Sequence, residues 1–386
     1  MNDVHEVLVI GAGPAGLATS RELSRWSVPH VVIERGREVG QTWADLYDSL
    51  VLHTTRRLSA LPGLAFPWGT PRFPTRMDVL AYLRDYARTF ALPLRLGLDV
   101  VDLRRMADVW LARTAAGGEV AARSVVVATG IVSSPHVPGV PGRERFNGRV
   151  IHSAEYRRPE PFLGQRVLVV GAGNSAADIA VDLARARVDV TLAVRSGATV
   201  VPLHIAGIPI QYLGLALGAL PRQAQALATS AVRKASRALG RGAVLPPGSS
   251  KPCAGIPVIG WHLSEALRAG VVHLKGGIAE LTATGARFHD GSTVPIDAVI
   301  LATGYRAAVG FLRDGVRLDD CGFPVRVDQI ASADQPDLYF VGHRYDFKGG
   351  LYNISRDATL AAARIRSGLG DRRRTPTERR QPHNER

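Results

Sequence analysis

Cysteine is nearly absent from this chain, with two in 386 residues, Cys253 and Cys321. They stand far apart and form no CxxC pair, which speaks against a disulfide framework, a zinc site and a dithiol redox centre. Lysine is almost as scarce: only four of the 48 basic residues are lysine, so arginine carries the basic excess. Acids are fewer, 34 in all, and the formal net charge is +14. Nucleic-acid binding would need aromatic side chains interleaved with a basic face, and a chain only 6% aromatic shows no such stripe. Long uncharged apolar runs are missing too, so no membrane-crossing helix is expected. An apolar strand follows Met1 almost at once, leaving no room for a basic cleavable leader, and the expected location is the cytoplasm.

What remains is ordinary globular composition, 46% apolar and 21% charged. The length predicts two or three compact units. The stretch 371–386 holds six arginines and three acids in polar, proline-containing sequence and reads as a disordered basic tail. The stretch 211–242 reads as a helical insertion studded with Arg222, Arg233, Lys234, Arg237 and Arg241, its apolar face suited to a docked lid.

The chain repeats its own plan. Val7–Ile10 leads into Gly11-Ala-Gly13-Pro14-Ala15-Gly16, a helical stretch and the run Val31–Ile33, which ends in Glu34. Later, Val167–Val170 leads into Gly171-Ala-Gly173-Asn174-Ser175-Ala176, a second helical stretch and Val190–Val194, which ends in Arg195. Each unit reads strand, glycine turn, helix, strand: the dinucleotide-binding βαβ pattern. In that pattern the first glycine allows the tight turn, and the second lets the backbone touch a pyrophosphate. The third lets the helix pack close, aiming its N-terminal N–H groups at the phosphates. Pro14 suits a first helical turn, where its missing N–H costs nothing. A third element also repeats, Val125–Ala128 closing in Thr129-Gly130 and Ala298–Ala302 closing in Thr303-Gly304.

The copies differ where each second strand ends. A carboxylate at Glu34 can accept both hydroxyls of an unphosphorylated ribose, as in FAD, whereas a guanidinium at Arg195 suits the 2′-phosphate of NADPH. FAD and NADPH are the cofactors expected, with no metal.

Between the two units runs Phe146-Asn-Gly148-Arg-Val-Ile-His152-Ser-Ala-Glu-Tyr156, which fits FxGxxxHxxxY without a mismatch. This string resembles the fingerprint of the class B flavin-containing monooxygenases. Further segments are similar to the YUCCA-type branch of that family: Gly40-Gln41-Thr42-Trp43, Leu50-Val-Leu-His53, Leu61–Pro67, Leu301–Tyr305 and Gly349–Ala358. Many family members carry an asparagine where His53 aligns, and the following Pro-Lys is here Thr55-Arg56.

The resemblance implies an α/β, glutathione-reductase-like flavoprotein with two Rossmann-like domains. An FAD-binding domain would take residues 1–155 and 295–370, with an NADPH-binding domain inserted at 160–290. It also implies a single-component monooxygenase that uses a C4a-(hydro)peroxyflavin. The reaction would be N- or S-oxygenation of a small molecule, or oxidative decarboxylation of a 2-oxo acid. The FAD site would comprise Gly11, Gly13, Pro14, Ala15, Gly16, Glu34, Arg35, Gln41, Thr42, Trp43, Val101, Ala128, Thr129, Gly130 and Asn353. Gly171, Gly173, Asn174, Ser175, Ala176, Arg195, Ser196, Thr303 and Gly304 would hold NADPH. His53 is the candidate catalytic group, near both cofactors, and His152 more plausibly fixes the interdomain linker than moves protons. The partners implied are a small-molecule substrate and O2, and a homodimer is compatible with the chain. The alternative is an NAD(P)H-dependent flavoprotein reductase that passes electrons to a protein or small acceptor. A disulfide-reducing member of that group would require a reactive cysteine pair.

Overall fold

The computed structural model describes residues 4–218, 257–344 and 348–373, together with 221, 223, 245 and 346. Two sheets organise it. The first runs in the order Arg326–Val327, Ala331–Ser332, Leu338–Phe340, Glu119–Val127, His5–Ile10, His30–Glu34, Leu94–Leu96, with the hairpin Val100–Met106 and Val109–Thr114 joined to Glu119–Val127. The second has five strands, Val272–Lys275, Asp189–Ala193, Arg166–Val170, Ala298–Leu301 and Arg149–His152, all parallel. Parallel strands covered on both faces read as unbroken apolar runs, which is why Val7–Ile10 and Val167–Val170 show no alternation. Successive side chains still point opposite ways. Val7 and Val9 pack with Leu17, Ala358 and Ile365, while Leu8 and Ile10 pack on the other face with Leu103, Trp110 and Phe340.

The strands Arg149–His152 and Ala298–Leu301 correct the expected boundaries at 155 and 295. Both belong to the second sheet, where Ala298–Leu301 pairs with Arg166–Val170 on one side and Arg149–His152 on the other. The chain therefore crosses between sheets earlier on the way out and later on the way back. At the crossing Ser134–Pro135 pairs antiparallel with Tyr305–Arg306. Composition marked the proline-rich linker but not the ladder on its far side, because a buried parallel strand reads alike in either sheet.

The fingerprint string is the fastening of this junction. A Cβ on Gly148 would lie 2.2 Å from the Asp297 carbonyl oxygen, so β-ladder contact requires glycine there. His152 Nε2–H donates to the Gly304 carbonyl (3.0 Å), and its Nδ1 accepts the Ala154 N–H (3.1 Å). Both ring nitrogens are used in the neutral form, and burial lowers the ring's pKa. Tyr156, fully buried, donates to Asp182 at 2.7 Å.

Of the helical insertion expected at 211–242, the helix Ile210–Gly218 is described, and the five basic residues lie outside the described residues. The helix Gly350–Arg373 runs into the start of the expected tail, and 374–386 lie outside the described residues. No described helix is long and apolar enough to cross a membrane.

Beneath that last helix sits a polar cluster that sets a pH dependence. His343 is fully buried beside Phe340, and burial, reinforced by Arg326, holds its pKa down to about 3. The unfolded chain takes up this proton near pH 6.5 and the folded chain does not, so stability present above that pH is lost on acidification. The slope is about 1.4 kcal/mol per pH unit. Asp357 acts in the opposite sense: burial raises its pKa to about 6, so between there and its ordinary value the folded state is the one that gains a proton. Acid unfolding of the His343→Gln variant, followed by urea titration at successive pH values, is expected to lose the His343 slope. An unchanged slope would place the acid sensitivity elsewhere.

Candidate functional site

The two glycine turns are superimposable in their contacts. Gly11 N–H donates to the Ile33 carbonyl (2.7 Å) and Ala128 N–H to the Ile10 carbonyl (2.9 Å). In the second unit Gly171 N–H donates to Ala193 (3.0 Å) and Ala302 N–H to Val170 (2.8 Å). Gly11 and Gly171 both have positive φ, +109° and +144°. A Cβ on either would strike the carbonyl oxygen of Ala128 (2.7 Å) or Ala302 (2.3 Å). This explains the third repeated element. The strand that closes in Ala-Thr-Gly lies beside the glycine turn in each sheet, and its last carbonyl needs a neighbour without a side chain.

Gly13 and Gly173 are different. Their φ values are −82° and −95°, open to any residue, and among the described residues a Cβ on either meets nothing within 4 Å. Nothing in the packing of the described residues calls for glycine at these two positions. Each is the cap of a twelve-residue helix that has no side-chain cap and no acid in its first turn. By contrast, the helix Arg76–Thr89 is closed by a full capping box from Thr75 and Asp78. Two uncapped helix N-termini, each behind an unfilled glycine, fit the close approach of a pyrophosphate.

Around the first turn, Glu34 ends its strand, and its two carboxylate oxygens accept the N–H groups of Ala12 (2.6 Å) and Gly36 (2.7 Å), leaving lone pairs for ribose hydroxyls. Pro14 and Ala15 open the helix and Gly16 packs on Gly11. Arg35 is exposed and reaches the Ser133 carbonyl at 3.5 Å. Gln41, Thr42 and Trp43 form a short helix after Gly40, which is left-handed at φ +72°. Thr129 donates to the Ala308 carbonyl (2.8 Å) beside Gly130. Asn353 is buried in the first turn of Gly350–Arg373 and bonded to Asp346 (2.9 Å). Val101 stands exposed on a hairpin strand, and no described contact joins it to the turn.

Around the second turn, Asn174 ties the helix start to the neighbouring segment by donating to the Pro257 carbonyl (3.2 Å) and accepting the Ile259 N–H (2.8 Å). Ala176 is buried behind Gly171. Arg195 and Ser196 are exposed just beyond the strand end. Thr303 donates to the His136 carbonyl (2.5 Å) next to Gly304.

His53 lies between the units, half-buried, with burial lowering its pKa. It faces Asp178 of the second glycine-turn helix (Nε2 to Oδ1, 3.8 Å). Tyr47 donates to the other carboxylate oxygen of Asp178 (2.8 Å), and His262 Nε2 lies 3.0 Å from Oδ1. Tyr47, Asp178 and His262 carry no local signature, since Tyr47 and Asp178 are 131 residues apart in sequence. The segment after His53 is clipped by Gln211, which accepts the Thr55 N–H (3.1 Å) and donates to the Lys348 carbonyl (2.6 Å).

The spacing of the two cysteines speaks against a disulfide framework, yet it does not exclude a single bridge. Cys321 is disulfide-bonded, and the only other cysteine, Cys253, lies outside the described residues. Separation along a chain does not measure separation in space. Cys321 belongs to the turn Asp319–Phe323 and to neither glycine turn. No group of three or more potential metal ligands occurs among the described residues.

Two dinucleotide folds in one chain, joined by a fastened double crossing, define a flavoprotein oxidoreductase that uses a flavin and a nicotinamide nucleotide. The comparisons with known proteins agree. The family model described as pyridine nucleotide-disulphide oxidoreductase matches residues 8–202. The chain is 33% identical to the probable indole-3-pyruvate monooxygenase YUCCA1 of Arabidopsis thaliana, over 94% of this chain and 90% of the relative. It is 35% identical to indole-3-pyruvate monooxygenase YUCCA1 of Oryza sativa subsp. japonica, over 95% and 93%. Among solved structures, a flavin-containing monooxygenase from Stenotrophomonas maltophilia matches with TM-score 0.74 and 25% identity, covering 95% of this chain and 99% of that one. A bacillithiol disulfide reductase from Staphylococcus aureus matches at TM-score 0.72 and 17% identity, over 96% and 100%, which shows a shared fold alone. The chain belongs to the flavin-containing monooxygenases, alongside the YUCCA-type enzymes, and is a flavin-dependent monooxygenase acting with O2 on a small molecule.

Proposed function

We propose that this monooxygenase binds FAD at the first glycine turn and NADPH at the second, and that its substrate is a small 2-oxo acid. The observation that carries the cofactor reading is the pair Gly13 and Gly173, unfilled glycines at uncapped helix starts. The substrate class follows the relatives, which are named for a 2-oxo acid. The overall change would be 2-oxo acid + O2 + NADPH + H⁺ → carboxylic acid one carbon shorter + CO2 + H2O + NADP⁺. Bound flavin, once reduced by the nicotinamide, supplies the activation of O2 and the transfer of one oxygen atom.

The chain's own part is to bind, orient and exclude water. The turn Gly11, Gly13 and Pro14 and the helix-start N–H groups of Ala15 and Gly16 receive the FAD pyrophosphate, Glu34 and Arg35 receive the adenosine, and Val101 is assigned to the same site. Gln41, Thr42 and Trp43, with Ala128, Thr129 and Gly130, line the flavin. Asn353 orders the start of the long helix whose N-terminal dipole favours negative charge on the reduced ring. Gly171, Gly173, Asn174, Ser175 and Ala176 receive the NADPH pyrophosphate between Thr303 and Gly304, and Arg195 and Ser196 receive the 2′-phosphate. His53 holds a hydrogen bond at the reacting edge.

Arg195→Ala tests the nucleotide assignment. Loss of a charge-assisted phosphate contact is expected to raise KM for NADPH by about tenfold or more, with KM for NADH nearly unchanged. Equal effects on both would remove Arg195 from the 2′-phosphate site. Oxygenation assays with NADPH, scored by CO2 release from 2-oxo acids and by product from amines and sulfides, decide the substrate class. Oxygenation of amines or sulfides with no CO2 from any 2-oxo acid would overturn it.

A further inference from the structure

We propose that Asp178 is a positioning residue for oxygenation, its carboxylate holding His53 at the reacting edge while His262 competes for the same oxygen. This rests on the reading that places His53 beside the flavin.

The geometry joins three segments to one carboxylate. Oδ2 accepts the hydroxyl of Tyr47, which is 4% exposed, at 2.8 Å. Oδ1 faces His262 Nε2 at 3.0 Å and His53 Nε2 at 3.8 Å, and the two imidazole rings lie roughly parallel with centroids 6.4 Å apart. His262 Nε2 is buried and makes no aligned hydrogen bond, so it and His53 stand as alternatives for Oδ1. Tyr47 follows the Gln41–Ala44 helix, Asp178 lies on Asn174–Arg185, and His262 opens His262–Arg268. The carboxylate thus sits on the seam between the two glycine-turn units.

A carboxylate here has a cost that the fold does not require. It stands near the start of the helix whose N-terminus is to receive a pyrophosphate, where another anion is repelled. The first unit has Ala18 at the corresponding place, fully buried and packed in the core. The acid is therefore particular to the second unit, where it meets Tyr47, His262 and, at 3.8 Å, His53.

Two imidazoles thus face one carboxylate oxygen. For His53, burial disfavours the charged ring, Asp178 favours it and His262 opposes it. Among the described residues, further titratable neighbours act at one remove: Tyr305 faces Tyr47, and Arg157 faces Tyr305. Removing Asp178's charge must shift the ionisation of His53 to lower pH, and removing His262 must shift it to higher pH.

The test uses FAD-loaded full-length protein with NADPH and O2. The fraction of consumed NADPH that emerges as hydrogen peroxide is measured between pH ~5 and ~8, the range in which an imidazole titrates. Wild-type leakage is expected to rise through one ionisation that is absent in His53→Gln. Asp178→Asn is expected to move that ionisation down in pH and His262→Gln to move it up. If Asp178→Asn does not fold, the upward shift in His262→Gln decides. No shift, or shifts of the same sign, would overturn the positioning role. A wild-type profile unaffected by His53→Gln would instead overturn the placement of His53, and failure to bind FAD would overturn the cofactor reading beneath both.

Discussion

Gly173→Ala leaves the protein folded and flavin-loaded, yet slows its reduction by limiting NADPH about a hundredfold, an apparent loss of roughly 2.8 kcal/mol in nucleotide binding. Among the described residues the methyl group would meet nothing within 4 Å, at an ordinary φ. Gly173 is the N-cap and lies outside the helix interior, and alanine caps less well than glycine, so the cost to thermal stability should be no more than about 1 kcal/mol. What the methyl would meet is the pyrophosphate, whose approach to the helix N–H groups needs an unobstructed backbone. The measurement is anaerobic bleaching of the flavin absorbance by NADPH at concentrations below KM, beside a thermal melt. An undiminished rate would place the nicotinamide nucleotide elsewhere. A collapsed melt would mean that this glycine serves the fold.

Gly16→Ala, one residue type for the same residue type, should do the reverse. A Cβ there would lie 1.8 Å from the Gly11 carbonyl oxygen, a backbone atom of the tight turn that cannot swing aside. The helix Pro14–Arg25 must move off its strand, and it is packed against Gly350–Arg373 as well. We expect a loss of at least ~3 kcal/mol and a fall in Tm of about 10 °C, together with loss of bound flavin. The second unit supplies the control, since it has Ala176 where the first has Gly16. Its helix already accommodates the methyl, and Ala176→Gly should cost only about 1 kcal/mol. A Gly16→Ala protein with unchanged Tm and flavin content would show that the first turn has slack the contacts deny.

These two variants separate what a shared motif conceals. Both glycines belong to the same pattern, yet Gly16 is required by the protein's own packing and Gly173 by something that the packing leaves room for. The sequence alone supports the motif and the count of two. It cannot say which glycine answers to which demand, because the answer depends on what lies across the turn.

The sequence by itself determined the two strand–turn–helix units, the closing Ala-Thr-Gly elements, the fingerprint between them and hence the family. Each is a local pattern, fixed by turn geometry and by the continuous apolar character of buried parallel strands. Even the structural role of His152 was legible, since it follows from a string of close neighbours. Only the tertiary structure decided that Arg149–His152 and Ala298–Leu301 join the second sheet, that Cys321 is disulfide-bonded, and that Tyr47, His53 and His262 converge on Asp178. These are contacts between segments far apart in the chain. No spacing rule reaches across them, because the distance that matters is set by how two separately folded sheets come to lie against each other.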